Sequence, residues 1–295
     1  MEEVNIYNKE NPVFQVDSEI VKKTYKECDN YLIEYDDRYK ETNICVIYFS
    51  GHSIYYPNDI ECFKRTIIEN NRFEWFGIRF QRAYKHIFIR DIHKQWYLAG
   101  INSEICNPKL LLEFLQKETD GYQLITIGSS AGGYASLLYG NLLGAIRIYA
   151  FSPQVELHSL QILSSEQVDP LAYRLQNTWL NKYYDIIPYI KNGNSQTLCF
   201  MPSKYKWDKI QYEYLMKHSI ERRDNITLIR FNTSKHGVPF PKVALNVLLK
   251  EDAYFKLLKY RWQTLNPIIF SISQVGLIKT LKGIIKQLYR HYYRM

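Results

Sequence analysis

Gln123-Leu124-Ile125-Thr126-Ile127-Gly128-Ser129-Ser130-Ala131-Gly132 decides the fold, because an apolar run of β type meets a small-residue helical run, Ala131 to Leu143, at a Gly-x-Ser-x-Gly turn. A serine hydroxyl is a poor nucleophile at neutral pH. To react, it must be lifted out of a sheet toward a base and toward backbone N–H donors. A sharp strand-to-helix turn, a nucleophile elbow, does this. The glycines two residues before and two after Ser130 let strand and helix pass without Cβ overlap. Ser130, not Ser129, holds the central position. The bare pattern is common; the strand before it and the helix after it give it weight.

Outward from this turn the same alternation repeats. Ile44–Phe49 ends in Ser50-Gly51, His86–Arg90 ends at Asp91, and Ile146–Phe151 ends at Ser152-Pro153. Continuous apolar runs of this length are typical of strands buried on both faces. Helical patterns lie between them, over 59–70, 107–118 (with Asn107-Pro108 as a start signal) and 131–143. Strand alternating with helix predicts an α/β fold: a mostly parallel central sheet, helices on both faces, and ligands at the edge where the strands end. Residues 1–42 are polar, with alternating pieces such as Tyr31–Tyr35, and read as an antiparallel edge hairpin joining the sheet. Residues 155–195, rich in Tyr, Trp and Leu and carrying Pro170 and Pro188, break the rhythm and read as a helical lid. Thr197–Met201 and Ile226–Phe231 resume the strands, with a helix from Lys209 to Glu221 between them. The expected division is one domain, with a core over 43–250 and a helical extension over 251–295.

A serine elbow needs a histidine base on the loop after the last strand, and Ile226–Phe231 is followed by Asn232-Thr-Ser-Lys-His236-Gly237-Val-Pro239. His236 is positioned to take the Ser130 proton and return it to the leaving group. The imidazolium so formed needs an anion. The loop after the preceding strand supplies Asp208, with Asp185 and Asp224 as rivals and helix capping as its alternative role. An oxyanion would need two N–H donors: Ala131, and Gly51 or His52 from Ser50-Gly51-His52-Ser53, which stands where lipases carry a glycine-rich motif. Asp91, Trp96 and Ser129 are expected on the substrate side of the site. Asp91-Ile92-His93 with His86 and His52 is too sparse for a metal site, so neither metal nor organic cofactor is expected.

Through Gly128–Gly132, Asp208 and His236, in the order Ser, Asp, His, residues 42–250 resemble the α/β-hydrolases. The resemblance implies a serine hydrolase acting through an acyl-enzyme. More narrowly, Arg90-Asp91 followed by Gln95-Trp96-Tyr97 and Gly100, with Ala150-Phe-Ser-Pro-Gln154, looks like bacterial hydrolase-like proteins associated with surface-polysaccharide synthesis. That likeness implies acyl groups on sugars, removed by an esterase or moved by an O-acyltransferase. The alternative is an inert binding protein on the same fold, docked by its tail.

Bulk properties bound these readings. The chain has 295 residues, 46% of them hydrophobic, enough for a substantial core. Its formal charge of +8 looks spread out until the tail, so nucleic acid is not an expected partner. Five cysteines without a CxxC pair fit a reducing, cytoplasmic setting, with Cys106 as a buried thiol. The acidic start, Met1-Glu-Glu-Val-Asn, is no secretory signal. In the tail, Leu277, Ile278, Leu281, Ile285, Leu288 and Tyr292 recur at helical spacing, with Lys279, Lys282, Lys286, Arg290 and Arg294 between them. Such a basic amphipathic helix over 275–295 lays its stripe on the core, meets the inner face of an anionic membrane or docks a partner.

Overall fold

Alternate residues of the apolar runs enter different cores. A computed structural model describes residues 5–250 and 253–292. In strand Ile44–Phe49, Cys45, Ile47 and Phe49 join one apolar cluster while Val46 and Tyr48 join another on the opposite face. That is why the run carries no polar alternation. The helix Ala131–Leu142 covers the first face through Tyr134, Ala135 and Leu138. The helix Lys242–Lys250 covers the second through Ala244, Leu245 and Leu248.

The strands are β1 (Tyr31–Tyr35), β2 (Ile44–Phe49), β3 (Lys85–Ile89), β4 (Gln123–Ser129), β5 (Arg147–Phe151), β6 (Gln196–Pro202), β7 (Ile226–Phe231) and β8 (Thr264–Leu265). They form one sheet in the order β1-β3-β2-β4-β5-β6-β7-β8. Only β1 runs antiparallel, with Ile33 opposite Ile87; the other pairs are parallel, with Phe49 opposite Gly128 and Gly128 opposite Ala150. With the strand-to-helix elbow after β4, this is the α/β-hydrolase fold. Ser50, Ser130, Ser152, Ser203 and Asn232 all follow strand ends on one edge.

Two expectations need correction. No hairpin forms in the described part of 1–42: the helices Phe14–Asp17 and Glu19–Glu27 precede a lone edge strand. In the second helix Val21, Thr24 and Tyr25 turn inward, a stripe too short to stand out in sequence. Cys106 is exposed, since it sits in the loop just before Asn107, whose side chain caps the helix Pro108–Thr119 by accepting the N–H groups of Lys109 and Leu110. In the tail, the helix Leu277–Tyr292 spans the expected amphipathic segment, and a further helix, Pro267–Val275, precedes it, with Gly276 at φ 82° between them. Met1–Val4 and Arg294 lie outside the described residues, as do the side chains of Arg290 and Tyr292.

Residues 155–195 form the helices His158–Leu163, Pro170–Arg174 and Ile187–Asn192 and the turn Trp179–Tyr183. The Tyr134 hydroxyl ties them to the elbow helix by donating to the Tyr183 carbonyl at 2.6 Å. Among the described residues no helix is long and apolar enough to cross a membrane.

Candidate active site

Ser130 holds φ 58° and ψ −123°, a conformation nearly reserved for glycine, at a cost of about 1–3 kcal/mol. Its N–H donates to the Phe151 carbonyl at 2.8 Å, and its carbonyl accepts the Tyr134 N–H at 3.0 Å, so neighbouring elements fix the strained turn from both sides. A methyl on Gly128 would overlap the Gly132 carbonyl, and one on Gly132 would overlap the Phe49 carbonyl. Only glycine allows this approach of helix to sheet.

The structure brings Ser130, His236 and Asp208 into one hydrogen-bonded row. Ser130 Oγ lies 2.9 Å from His236 Nε2, and His236 Nδ1 lies 2.8 Å from Asp208 Oδ2. Asp208 sits in the first turn of the helix Lys206–Lys217, buried to 1% exposure, and makes no side-chain cap there. Burial raises its carboxyl above the usual range, against the lowering effect of His236. Asp185 is engaged elsewhere, accepting the Tyr214 hydroxyl and the Ile187 N–H, and Asp224 is exposed beside Arg261. The imidazole ring packs on Tyr205, with centroids 5.1 Å apart.

Two residues that sequence reasoning passed over hold this row in place. Gln154 Nε2 donates to Ser130 Oγ at 3.3 Å, while its Oε1 accepts the Trp96 indole N–H at 3.2 Å. The indole can only donate, so it fixes which end of the Gln154 amide faces Ser130. Ser152 Oγ accepts the Gly237 N–H at 3.1 Å and donates to the Gly237 carbonyl at 2.8 Å, clamping the loop that carries His236. Both follow β5 on the strand-end edge, the one sequence signal that marks them.

The other expected residues are placed as follows. Ala131 begins the elbow helix, so its N–H has no acceptor within that helix. Gly51 packs against Ser129 and Ser130, but its N–H donates to Glu74 Oε2 at 2.8 Å. Of the two residues named for a second oxyanion donor, that leaves His52. The His52 ring stands edge-on to Trp96 at 4.6 Å, and burial, with Lys94 nearby, lowers its pKa to about 3. It is therefore a neutral ring. Glu74 also accepts the Ser53 hydroxyl, and burial raises its carboxyl.

Asp91 is not on the cavity wall. Its carboxylate is buried and accepts the N–H groups of Lys94, Gln95 and Tyr97 at 3.1, 2.7 and 2.9 Å. The loop curls around that charge, with Lys94, Trp96 and Tyr97 all at positive φ. Asp91 thus presents Trp96, which does line the cavity. The Ser129 hydroxyl lies against Gly237, in the loop that carries His236.

The cavity over Ser130 measures about 540 Å³. Trp96, His52, Gln154, Tyr205, Trp207 and His236 line it together with Leu160, Ser164, Val168 and Asp169 of the 155–195 segment. Among the described residues no cluster of three or more His, Cys, Asp or Glu side chains is arranged to hold a metal.

No family model and no curated protein matches the chain. Among solved structures it is similar to the capsule O-acetyltransferase of Neisseria meningitidis serogroup A, with 18% identity and a TM-score of 0.46, covering 69% of this chain and 83% of that one. It is also similar to the fluorophosphonate-binding serine hydrolase F of Staphylococcus aureus, with 12% identity, a TM-score of 0.42, and 68% and 83% coverage. A third is an α/β hydrolase from a Medee basin deep-sea metagenome, with 14% identity, a TM-score of 0.37, and 70% and 87% coverage.

Proposed function

We propose that this protein is a serine acyl hydrolase or acyltransferase, with Ser130 as nucleophile, His236 as base and Asp208 as the acid that orients it. The observation that carries the reading is the strained Ser130 with His236 Nε2 at 2.9 Å and Asp208 behind it at 2.8 Å. In that row Asp208 accepts Nδ1–H, which leaves Nε2 bare to receive the Ser130 proton. As the proton moves, Oγ forms a bond to the acyl carbon and the carbonyl electron pair moves to oxygen. The Ala131 and His52 N–H groups are proposed to hold that oxyanion. Collapse expels the alkoxide, which takes the proton from His236 and leaves an acyl-enzyme. Water or a second hydroxyl, deprotonated by His236, then attacks the acyl carbon, and the Ser130–acyl bond breaks as Oγ takes that proton back from His236.

The substrate we propose is an O-acyl sugar. Trp96, Tyr205 and Trp207 line the cavity with aromatic rings on which a sugar can pack, and Ser164, Ser165 and Asp169 add polar groups for its hydroxyls. Labelling with a fluorophosphonate tests the nucleophile: the adduct should map to Ser130, vanish in Ser130→Ala and persist in Ser129→Ala. Folded wild-type protein that stays unlabelled would instead support the inert binding protein. Release of acetate from acetylated oligosaccharides, compared with simple alkyl acetates, tests the substrate class.

A further inference from the structure

We infer that the helices Pro267–Val275 and Leu277–Tyr292 form a docking face for an anionic lipid bilayer. Two observations carry this independently of the proposed chemistry. The first is charge. No Asp or Glu occurs from Ala253 to Met295, while that stretch holds eight Lys and Arg, leaving thirty Lys and Arg against thirty Asp and Glu in the rest of the chain. The whole formal charge of +8 therefore belongs to the tail, and the even spread expected from sequence is corrected.

The second is orientation. The helix Leu277–Tyr292 meets the helix Lys242–Lys250 through small residues: Thr280 is fully buried, and Gly283 packs directly on Val243. The large apolar residues point away. Leu277, Ile278, Leu281, Ile285 and Leu288 are 48–69% exposed, and on the neighbouring helix Ile268 and Ile269 are exposed as well. At about 100° per residue, those five lie on one side of the helix, with Lys279, Lys282 and Lys286 along its flank. The stripe does not lie on the core. Lys256 and Lys259 border a cavity of about 520 Å³ beside the shorter helix, adding cations to the same region. An exposed apolar stripe flanked by cations and free of acids matches the boundary between acyl chains and anionic headgroups. A protein partner would need acids of its own around an apolar groove; a bilayer supplies both layers without a specific fold.

Co-sedimentation of the full chain with vesicles tests this. Wild type should sediment with vesicles of mixed phosphatidylglycerol and phosphatidylcholine at low salt, stay in solution with phosphatidylcholine alone, and be released by high salt. K279Q/K282Q/K286Q should weaken binding by roughly tenfold or more. L281E/I285E should abolish it, with both variants keeping the wild-type circular dichroism and melting transition, since every altered residue is exposed. The inference is overturned if wild type stays in the supernatant with anionic vesicles, or if both variants sediment as it does. It is equally overturned if light scattering finds a dimer that L281E/I285E dissociates, because the face would then belong to a second copy of the chain.

Discussion

Ser130 uses both sides of its hydroxyl: it accepts from Gln154 and lies in line to donate to His236. With the Trp96 indole at one end and the Asp208 carboxylate at the other, every bond in the row from Trp96 to Asp208 points the same way. This polarity fixes the amide and the imidazole tautomer together. The two ends differ in what their loss should do. Asp208→Asn leaves the shape but permits the wrong tautomer, and turnover of a soluble acetate ester should fall by about 10⁴, as in well-studied triads. Gln154→Met removes two neutral hydrogen bonds, of which only one reaches Ser130, so kcat/KM should fall only about two- to tenfold. A larger effect of Gln154→Met than of Asp208→Asn would reverse the assigned roles. Ser130, Asp208 and His236 were legible because each follows a strand of the sheet within a few residues, in a set order. Gln154, Ser152 and Glu74 were not, since a glutamine amide or a clamping hydroxyl has no spacing rule and is placed by contacts up to 85 residues apart.

The loop after β3 shows what an element hides from sequence. Asp91 was visible as a polar residue at a strand end, but only the fold shows that it gathers three backbone N–H groups and so belongs to the loop's interior. His93, on the same loop, is fully buried against Tyr25, with neither ring nitrogen hydrogen-bonded among the described residues. Burial lowers its pKa from 6.5 to about 3, opposed by Asp17. The unfolded chain therefore binds a proton below pH 6.5 that the folded chain refuses, and stability present above that pH is lost as pH falls toward 3. His93→Phe keeps the stack and removes the titration. Urea unfolding should show the variant more stable than wild type at pH 8, by about 1–3 kcal/mol. At pH 5 the gain should grow by up to about 2 kcal/mol. Equal gains at both pH values would unlink His93 from the acid response. The central strands and the helix Ala131–Leu142 were readable because burial on both faces leaves unbroken apolar runs; β8, two residues long, leaves no such trace.

At the scale of the whole molecule, the chain divides into an electrically balanced first 252 residues and a wholly basic remainder. Periodicity disclosed the tail as amphipathic but not which side met the body, because the inward side is made of Thr280 and Gly283 rather than of its largest apolar residues. A chain ending at Val275 should therefore keep its fold and lose vesicle binding, read by circular dichroism and sedimentation together. Where the chain is cut matters for a different reason. The short β8 and its flanks close the open side of β7: Trp262 N–H donates to the Leu228 carbonyl, Arg230 N–H to the Gln263 carbonyl and Asn232 N–H to the Leu265 carbonyl, at 2.8, 2.9 and 2.8 Å. A chain stopped at Tyr260 would bare that row of backbone groups on an apolar strand, a template on which further copies can add. With those three hydrogen bonds lost, thioflavin fluorescence should rise for the chain ending at Tyr260 while staying flat for the one ending at Val275.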